Sequence, residues 1–170
     1  MSYDALVTQL EQHSVVLKKY QLTECDESGW TVAHAAALRN LLPEDFSDWD
    51  LADNNGYSVA HAKARCSVLP AKFPHWMLAD HNGLTVAQVA LLNRNLPIDF
   101  PVMLWVKRLP NGTTLAHVAA LHGMLPDTIR RMPQIRDAVN AEGLSVNSVL
   151  RQWTQDRINE ARNILKQKTK

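Results

Sequence analysis

Five stretches of this sequence repeat one pattern, and an internal repeat of this length constrains the fold more than composition does. They read ESGWTVAHAAA from Glu27, NNGYSVAHAKA from Asn54, HNGLTVAQVAL from His81, PNGTTLAHVAA from Pro110 and AEGLSVNSVLR from Ala141. Their glycines are Gly29, Gly56, Gly83, Gly112 and Gly143, evenly spaced over the first three and then slightly wider at each step. A Leu-Pro pair follows each of the first four: Leu42-Pro43, Leu69-Pro70, Leu96-Pro97 and Leu125-Pro126, with the proline always at the same distance from its glycine. Tryptophan recurs at one fixed distance from the glycine at Trp49 and Trp76, and two positions farther along at Trp105. Three marks in one register define a structural unit.

Each mark has a local meaning. The stretches from Asp53 and Asp80 are turn chemistry, with the glycine free to take positive φ. Thr31, Ser58, Thr85, Thr114 and Ser145 follow two residues later, where a hydroxyl can cap a helix start. The alanine-rich run behind each cap predicts a short helix that neighbours can approach closely. The Leu-Pro pair ends it, since the residue before proline is pushed out of the α region. Proline also suits the first position of a second helix. PEDFSDW and PAKFPHW are therefore expected as two-turn helices with Phe46, Phe73, Trp49 and Trp76 turned inward, and Pro74 distorting the second. One such unit cannot bury its own apolar face, whereas stacked copies can.

This pattern resembles the ankyrin repeat, whose hallmark runs Asp-x-x-Gly-x-Thr-Pro-Leu-His-x-Ala-Ala. Asp26, Gly29, Thr31, His34, Ala36 and Ala37 fall on it in the first copy. Asp53, Gly56, Ser58, His61 and Ala64 do so in the second, and Asp80, Gly83, Thr85 and Ala90 in the third, where Gln88 replaces the histidine. Gly112, Thr114, Leu115, His117, Ala119, Ala120 and Gly123 match in the fourth. The resemblance covers roughly residues 26 to 150. Val-Ala or Leu-Ala stands where the family has Pro-Leu, and the first two copies are clearly shorter than the family's period of about 33 residues. It implies an all-α, ankyrin-like helical repeat solenoid of four to five shortened repeats with helical caps at both ends. Residues 1–170 are expected as one domain: an N-terminal capping helix in 1–24, repeats in 26–144, and closing helices with a basic tail in 145–170.

The flanks fit caps. From Tyr3 to Tyr20, Leu6, Leu10, Leu17 and Tyr20 recur at helical spacing with Val7 and Val16 beside them. From Ser145 onward, Val146, Val149, Leu150, Trp153, Ile158, Ala161, Ile164 and Leu165 predict one long or two short closing helices. Hydrophobic residues at 46%, charged residues at 21% and a net charge of +1 fit a packed domain, and disfavour a chain built around polyanion binding. No run approaches a membrane span, and no signal peptide is recognisable. A cytoplasmic location is the default expectation, with export without a cleaved signal left open. Cys25 and Cys66 have no metal-ligand spacing and read as idle thiols, with a single disulfide as the lesser alternative.

The three equivalent histidines, His34, His61 and His117, resemble the family's structural residue, which ties neighbouring turns by hydrogen bonds. No HExxH, CxxC, nucleophile elbow or phosphate loop is present. The expectation is no enzyme, no cofactor and no metal. A binding role rests on position. In the ankyrin-like frame the residues after the glycines, Trp30, Tyr57, Leu84, Thr113 and Leu144, project from turn tips as an anchor row, unless the shortened turns fold back and bury them. Glu27, Asn54, Asn55, His81 and Asn111 surround them, and Arg39, Arg65, Asn93 and His122 are expected on the exposed face of the first helices. Aromatic anchors with a polar rim suit a protein partner. The chain is thus expected to be a protein–protein interaction module in an adaptor, inhibitor, effector or immunity-type role, monomeric or weakly oligomeric, with no membrane contact and with nucleic acid disfavoured. The alternative is nucleic acid or an acidic partner at the C-terminal segment, where Arg151, Arg157, Arg162, Lys166, Lys168 and Lys170 face only Asp156 and Glu160. The plainer reading of that segment is a solvated helix face.

Overall fold

A computed structural model describes residues 2–11 and 21–168. The chain divides into two compact units, Met1–Phe100 and Pro101–Lys170. Among the described residues there are helices and no strands. The first unit holds α1 (Tyr3–Glu11), α2 (Val32–Leu38), α3 (Val59–Cys66) and α4 (Val86–Leu92). The second holds α5 (Val102–Val106), α6 (Leu115–Leu121), α7 (Asp127–Arg130), α8 (Pro133–Arg136) and α9 (Val146–Lys168).

All five copies of the sequence pattern fold as one turn. A single antiparallel bridge closes each, between the residues four before and two after the glycine: Cys25 with Thr31, Ala52 with Ser58, Ala79 with Thr85, Arg108 with Thr114, and Val139 with Ser145. Gly29 and Gly56 sit at φ +78 and +75, which a side-chain-bearing residue rarely adopts. The Asp26 carboxylate accepts from the Ser28 and Trp30 amides at 2.9 and 3.0 Å, and Asp53 and Asp80 do the same for their own turns. Asn140 takes this part in the fifth copy. In the fourth, Leu109 stands at that position and the Asn111 side chain accepts from Thr113 instead.

The first helices start where the hydroxyls predict. Thr31, Thr85 and Thr114 accept from the amide three residues on. The next orphan amides are met by the chain just before the turn, Val32 by Glu24 and Ala33 by Leu22, Val59 by Leu51 and Ala60 by Trp49. These helices are buried almost all round: Val32–Ala37 in α2 and Val86–Leu91 in α4 are uninterrupted runs of buried residues. Alanines at 0% exposure, among them Ala33, Ala36, Ala60 and Ala62, let the helices lie close. In the first unit Leu6 and Leu10 of α1 close one end of this core. The expected continuation of that cap through Val16, Leu17 and Tyr20 lies outside the described residues.

The expected second helices are corrected by the structure. After Pro43 and Pro70 the chain runs through turns, with the Phe46 amide donating to the Pro43 carbonyl and that of Phe73 to Pro70, and forms no helix. Repeat length explains this. The two shortest copies, those starting at Gly29 and Gly56, have no room for a helix between the proline and the next bridge. The longer copies, starting at Gly83 and Gly112, hold α5, and α7 with α8. In place of helices the first unit builds an edge-to-face aromatic row. Phe46 meets Trp49 at 5.1 Å, Trp49 meets Phe73 at 5.3 Å, Phe73 meets Trp76 at 5.7 Å, and Trp76 meets Phe100 at 5.1 Å. Trp76 is 2% exposed, as its inward setting requires, and Trp49 is half-buried.

In the second unit α6 packs against α9, which is one helix rather than two. Trp153 lies directly over Gly123, where a Cβ would collide with its ring. From Thr154 to Ile164 every residue of α9 is exposed.

Three of the first helices end in a left-handed residue: Asn40 at φ 61, Arg94 at φ 60 and Gly123 at φ 65. The following amides, Leu41, Asn95 and Met124, then close onto Ala36, Ala90 and Ala119 at 2.7–2.8 Å. Arginine is poorly suited to this geometry. Arg94→Gly should therefore stabilise the fold by up to about 1 kcal/mol, read as a raised denaturation midpoint.

Candidate interaction site

The turn tips of the first unit are tied to one another. The Asn54 amide donates to the Ser28 carbonyl at 2.9 Å, and the His81 amide to the Asn55 carbonyl at 2.9 Å. The Asn54 side chain adds a bond to Glu27 O at 3.1 Å. The tips approach so closely that a Cβ on Gly29 would lie 2.6 Å from Asn54 Oδ1, and one on Gly56 2.6 Å from His81 Cδ2. The glycines thus serve neighbouring turns as well as their own. Within the second unit the Ala141 amide donates to Gly112 O at 3.0 Å.

Behind the tips, His34 and His61 each perform three tasks. His34 Nδ1 accepts from the Thr31 amide at 3.1 Å and lies 2.8 Å from the Thr31 hydroxyl. Its Nε2 is 2.9 Å from the Tyr57 carbonyl of the next turn, so Nε2 carries the proton and the ring is neutral. His61 repeats this with Ser58 and Leu84 O, and His117 contacts the Thr114 hydroxyl and Leu144 O. At the starts of α2 and α3 this is a capping box with histidine in the place of the usual glutamate. Gln88 fills the same place in the third copy, its Oε1 accepting from Thr85 N at 2.8 Å and the Thr85 hydroxyl at 3.0 Å. Burial holds the pKa of His34 and His61 below the usual histidine range, partly opposed by the carbonyl each one faces.

The residues after the glycines do not stand free. Trp30 lies 4.6 Å from the His34 ring and is stacked on Tyr57 at 6.0 Å, and Tyr57 lies 4.9 Å from His61. Trp30, Tyr57, Leu84 and Thr113 are half-buried, and Leu144 is 45% exposed. One edge of each aromatic faces solvent while its body covers a structural histidine. Burial raises the Tyr57 hydroxyl pKa. The polar rim Glu27, Asn54, Asn55, His81 and Asn111 is exposed throughout.

Arg39, Arg65, Asn93 and His122 are exposed too, but on the last turns and caps of the first helices, since the rest of those helices is buried. Within each unit the structure thus separates the expected site into a tip edge and a helix-end edge. Lys63, Arg94, Asn40 and Asn95 join the second edge, and sequence reasoning does not single them out. Their signal is a place in the last turn of a first helix or just beyond it, with a different residue type in each copy. Cys25 and Cys66 are both free thiols and both exposed, so the disulfide alternative is not formed. Among the described residues no His, Cys, Asp and Glu group is placed to hold a metal ion, and no helix is long and apolar enough to cross a membrane.

Fold and site together define a helical repeat protein in which neighbouring turns of each unit are joined tip to tip and through buried side chains. No protein-family model matches the chain, and no curated protein does. Among solved structures, it is similar to a chain in the complex of the Bd0816 predatory endopeptidase from Bdellovibrio bacteriovorus with immunity protein Bd3460. That likeness covers 92% of this chain and 95% of the other, at 14% identity and a TM-score of 0.49. The ankyrin repeat domain of Bcl-3, a member of the IkappaB protein family, is matched over 85% of this chain and 86% of its own, at 19% identity and a TM-score of 0.33.

Proposed function

We propose that this chain is a protein-interaction module that holds a partner protein along the row of turn tips in its first unit, and that it is not an enzyme. One observation carries the reading: the tips are fixed by inter-turn hydrogen bonds while their outward polar groups stay exposed. A surface ordered before binding loses little conformational freedom on association. Three buried histidines, His34, His61 and His117, are occupied in holding turns together.

The test follows from where the aromatics lie. Trp30→Ala with Tyr57→Ala strips the covers from His34 and His61, so the pair should lower stability by about 2–4 kcal/mol in chemical denaturation. It is therefore a poor probe of binding. A photo-crosslinking side chain at Asn55 should capture a partner from the native host, and one at Met103, which is 76% exposed on α5 and part of no turn tip, should not. Capture at position 103 and none at 55 would contradict the tip reading.

A second reading is supported by the bare stretch of α9, where residues 154–164 are exposed and carry Arg157 and Arg162. If this segment binds a polyanion, removing residues 154–170 should abolish salt-sensitive retention of nucleic acid without unfolding the chain, because Trp153 is left on Gly123.

A further inference from the structure

The helix-end edge of the first unit has a chemistry of its own. It consists of residues 38–42, 63–69 and 91–97. Of the five Lys and Arg between residues 21 and 100, four lie in these segments: Arg39, Lys63, Arg65 and Arg94. None of the ten Asp and Glu of the same stretch does. A chain half that is acidic overall thus carries one basic edge. Apolar side chains are set among the cations, with Leu41 38%, Val68 58% and Leu92 39% exposed.

The three segments are fastened in register. Lys63 Nζ donates to Asn40 Oδ1, and Cys66 Sγ lies 3.1 Å from Ala37 O. Asn95 Nδ2 donates to Ala64 O at 3.1 Å and Arg65 O at 3.0 Å. Cations at a helix C-terminus ordinarily complement the last carbonyls. Arg39 does so, donating to Ala35 O at 3.2 Å, whereas several of the other carbonyls have partners that are not cations: Ala36 O and Ala37 O in α2, Ala64 O in α3, Ala90 O and Leu91 O in α4. Among the described residues no carboxylate pairs with Lys63, Arg65 or Arg94.

We propose that the C-terminal ends of α2, α3 and α4 form a second docking surface, fitted to an acidic, leucine-bearing segment of a partner protein. Guanidinium groups offer forked donors to carboxylates. The exposed Leu41, Val68 and Leu92 offer apolar contact between those charges. Single-stranded nucleic acid fits less well, because these segments contain no aromatic side chain on which bases could stack. The proposal rests on the reading of the chain as an interaction module but uses a different edge, so the two can fail separately.

The probe is a short fluorescein-labelled peptide alternating glutamate and leucine, titrated against the full chain and followed by anisotropy and by amide shifts. Binding should weaken about tenfold in Arg65→Glu, and by several fold in Arg94→Gly, which is also expected to be more stable than the parent. Binding should fall further in half-molar salt, with shifts centred on residues 39–42, 65–68 and 92–95. Absence of binding, unchanged affinity in both variants, or shifts centred on the tips or α9 would overturn the proposal. Equal binding of a single-stranded oligothymidylate at the same residues would overturn the choice of partner. Crosslinking through Asn55 alongside any of these failures would leave the tip reading intact and remove only this edge.

Discussion

Replacing His61 by alanine should lower the unfolding free energy by about 3–4 kcal/mol in denaturant titration, with the helical spectrum retained below the transition. The side chain is fully buried and joins two repeats. Its loss leaves the Ser58 amide without the ring nitrogen that satisfies it 3.1 Å away, takes one of two donors from the Leu84 carbonyl, which keeps the Asp80 amide, and opens a cavity beneath Tyr57. Each buried group left unpaired costs about 1–3 kcal/mol. Gln88 gives an internal control, because a glutamine already closes the same box at Thr85. His61→Gln should therefore cost clearly less than His61→Ala. A loss for the alanine variant no larger than that of an exposed substitution would mean that the histidine is not the tie between turns.

The second large effect is on pH. His34 and His61 are neutral in the fold, and burial is the main cause of their lowered pKa. Asp26 and Asp53 near His34, and Asp53 and Asp80 near His61, oppose the shift, while the charge of His61 disfavours that of His34. In the unfolded chain both titrate near the ordinary value of 6.5. The folded state binds protons less readily than the unfolded one, so acid favours unfolding. Their contribution is fully present above about pH 6.5 and is lost as pH falls from there through the depressed folded values. Protonation also ends the acceptance at Nδ1 on which each cap depends. Melting temperature should thus fall between about pH 6.5 and 5, and His34→Gln with His61→Gln should flatten that fall. Asp26, whose carboxyl is held low mainly by the Ser28 hydroxyl, acts in a separate and more acidic window.

The elements legible in the sequence are those fixed by single residues. Glycine with positive φ, a hydroxyl two residues later and a histidine or glutamine three after that specify the turn and the helix start locally, and all are found where the spacing places them. The second helices escape such reasoning because Pro43 and Pro70 allow a helix start but do not provide length, and length is set by the distance to the next bridge. The setting of Trp30 and Tyr57 is open at the level of sequence, because whether a side chain leaves its turn or lies across it depends on the neighbouring turn. The helix-end edge is only partly visible there. Arg39, Arg65 and Arg94 occupy three different offsets from their glycines, and they come together only once Lys63, Asn40 and Asn95 fasten the helix ends.

Native-state amide hydrogen exchange on Asn54 and His81 is the most direct trial of tip-to-tip locking. If neighbouring turns are joined as described, these two loop amides should exchange as slowly as helix amides such as Ala62 and Val89, and should open with them in one cooperative step. Exchange at the rate of an unprotected loop, with the helices still protected, would show that the turns move independently and that no ordered row of tips awaits a partner.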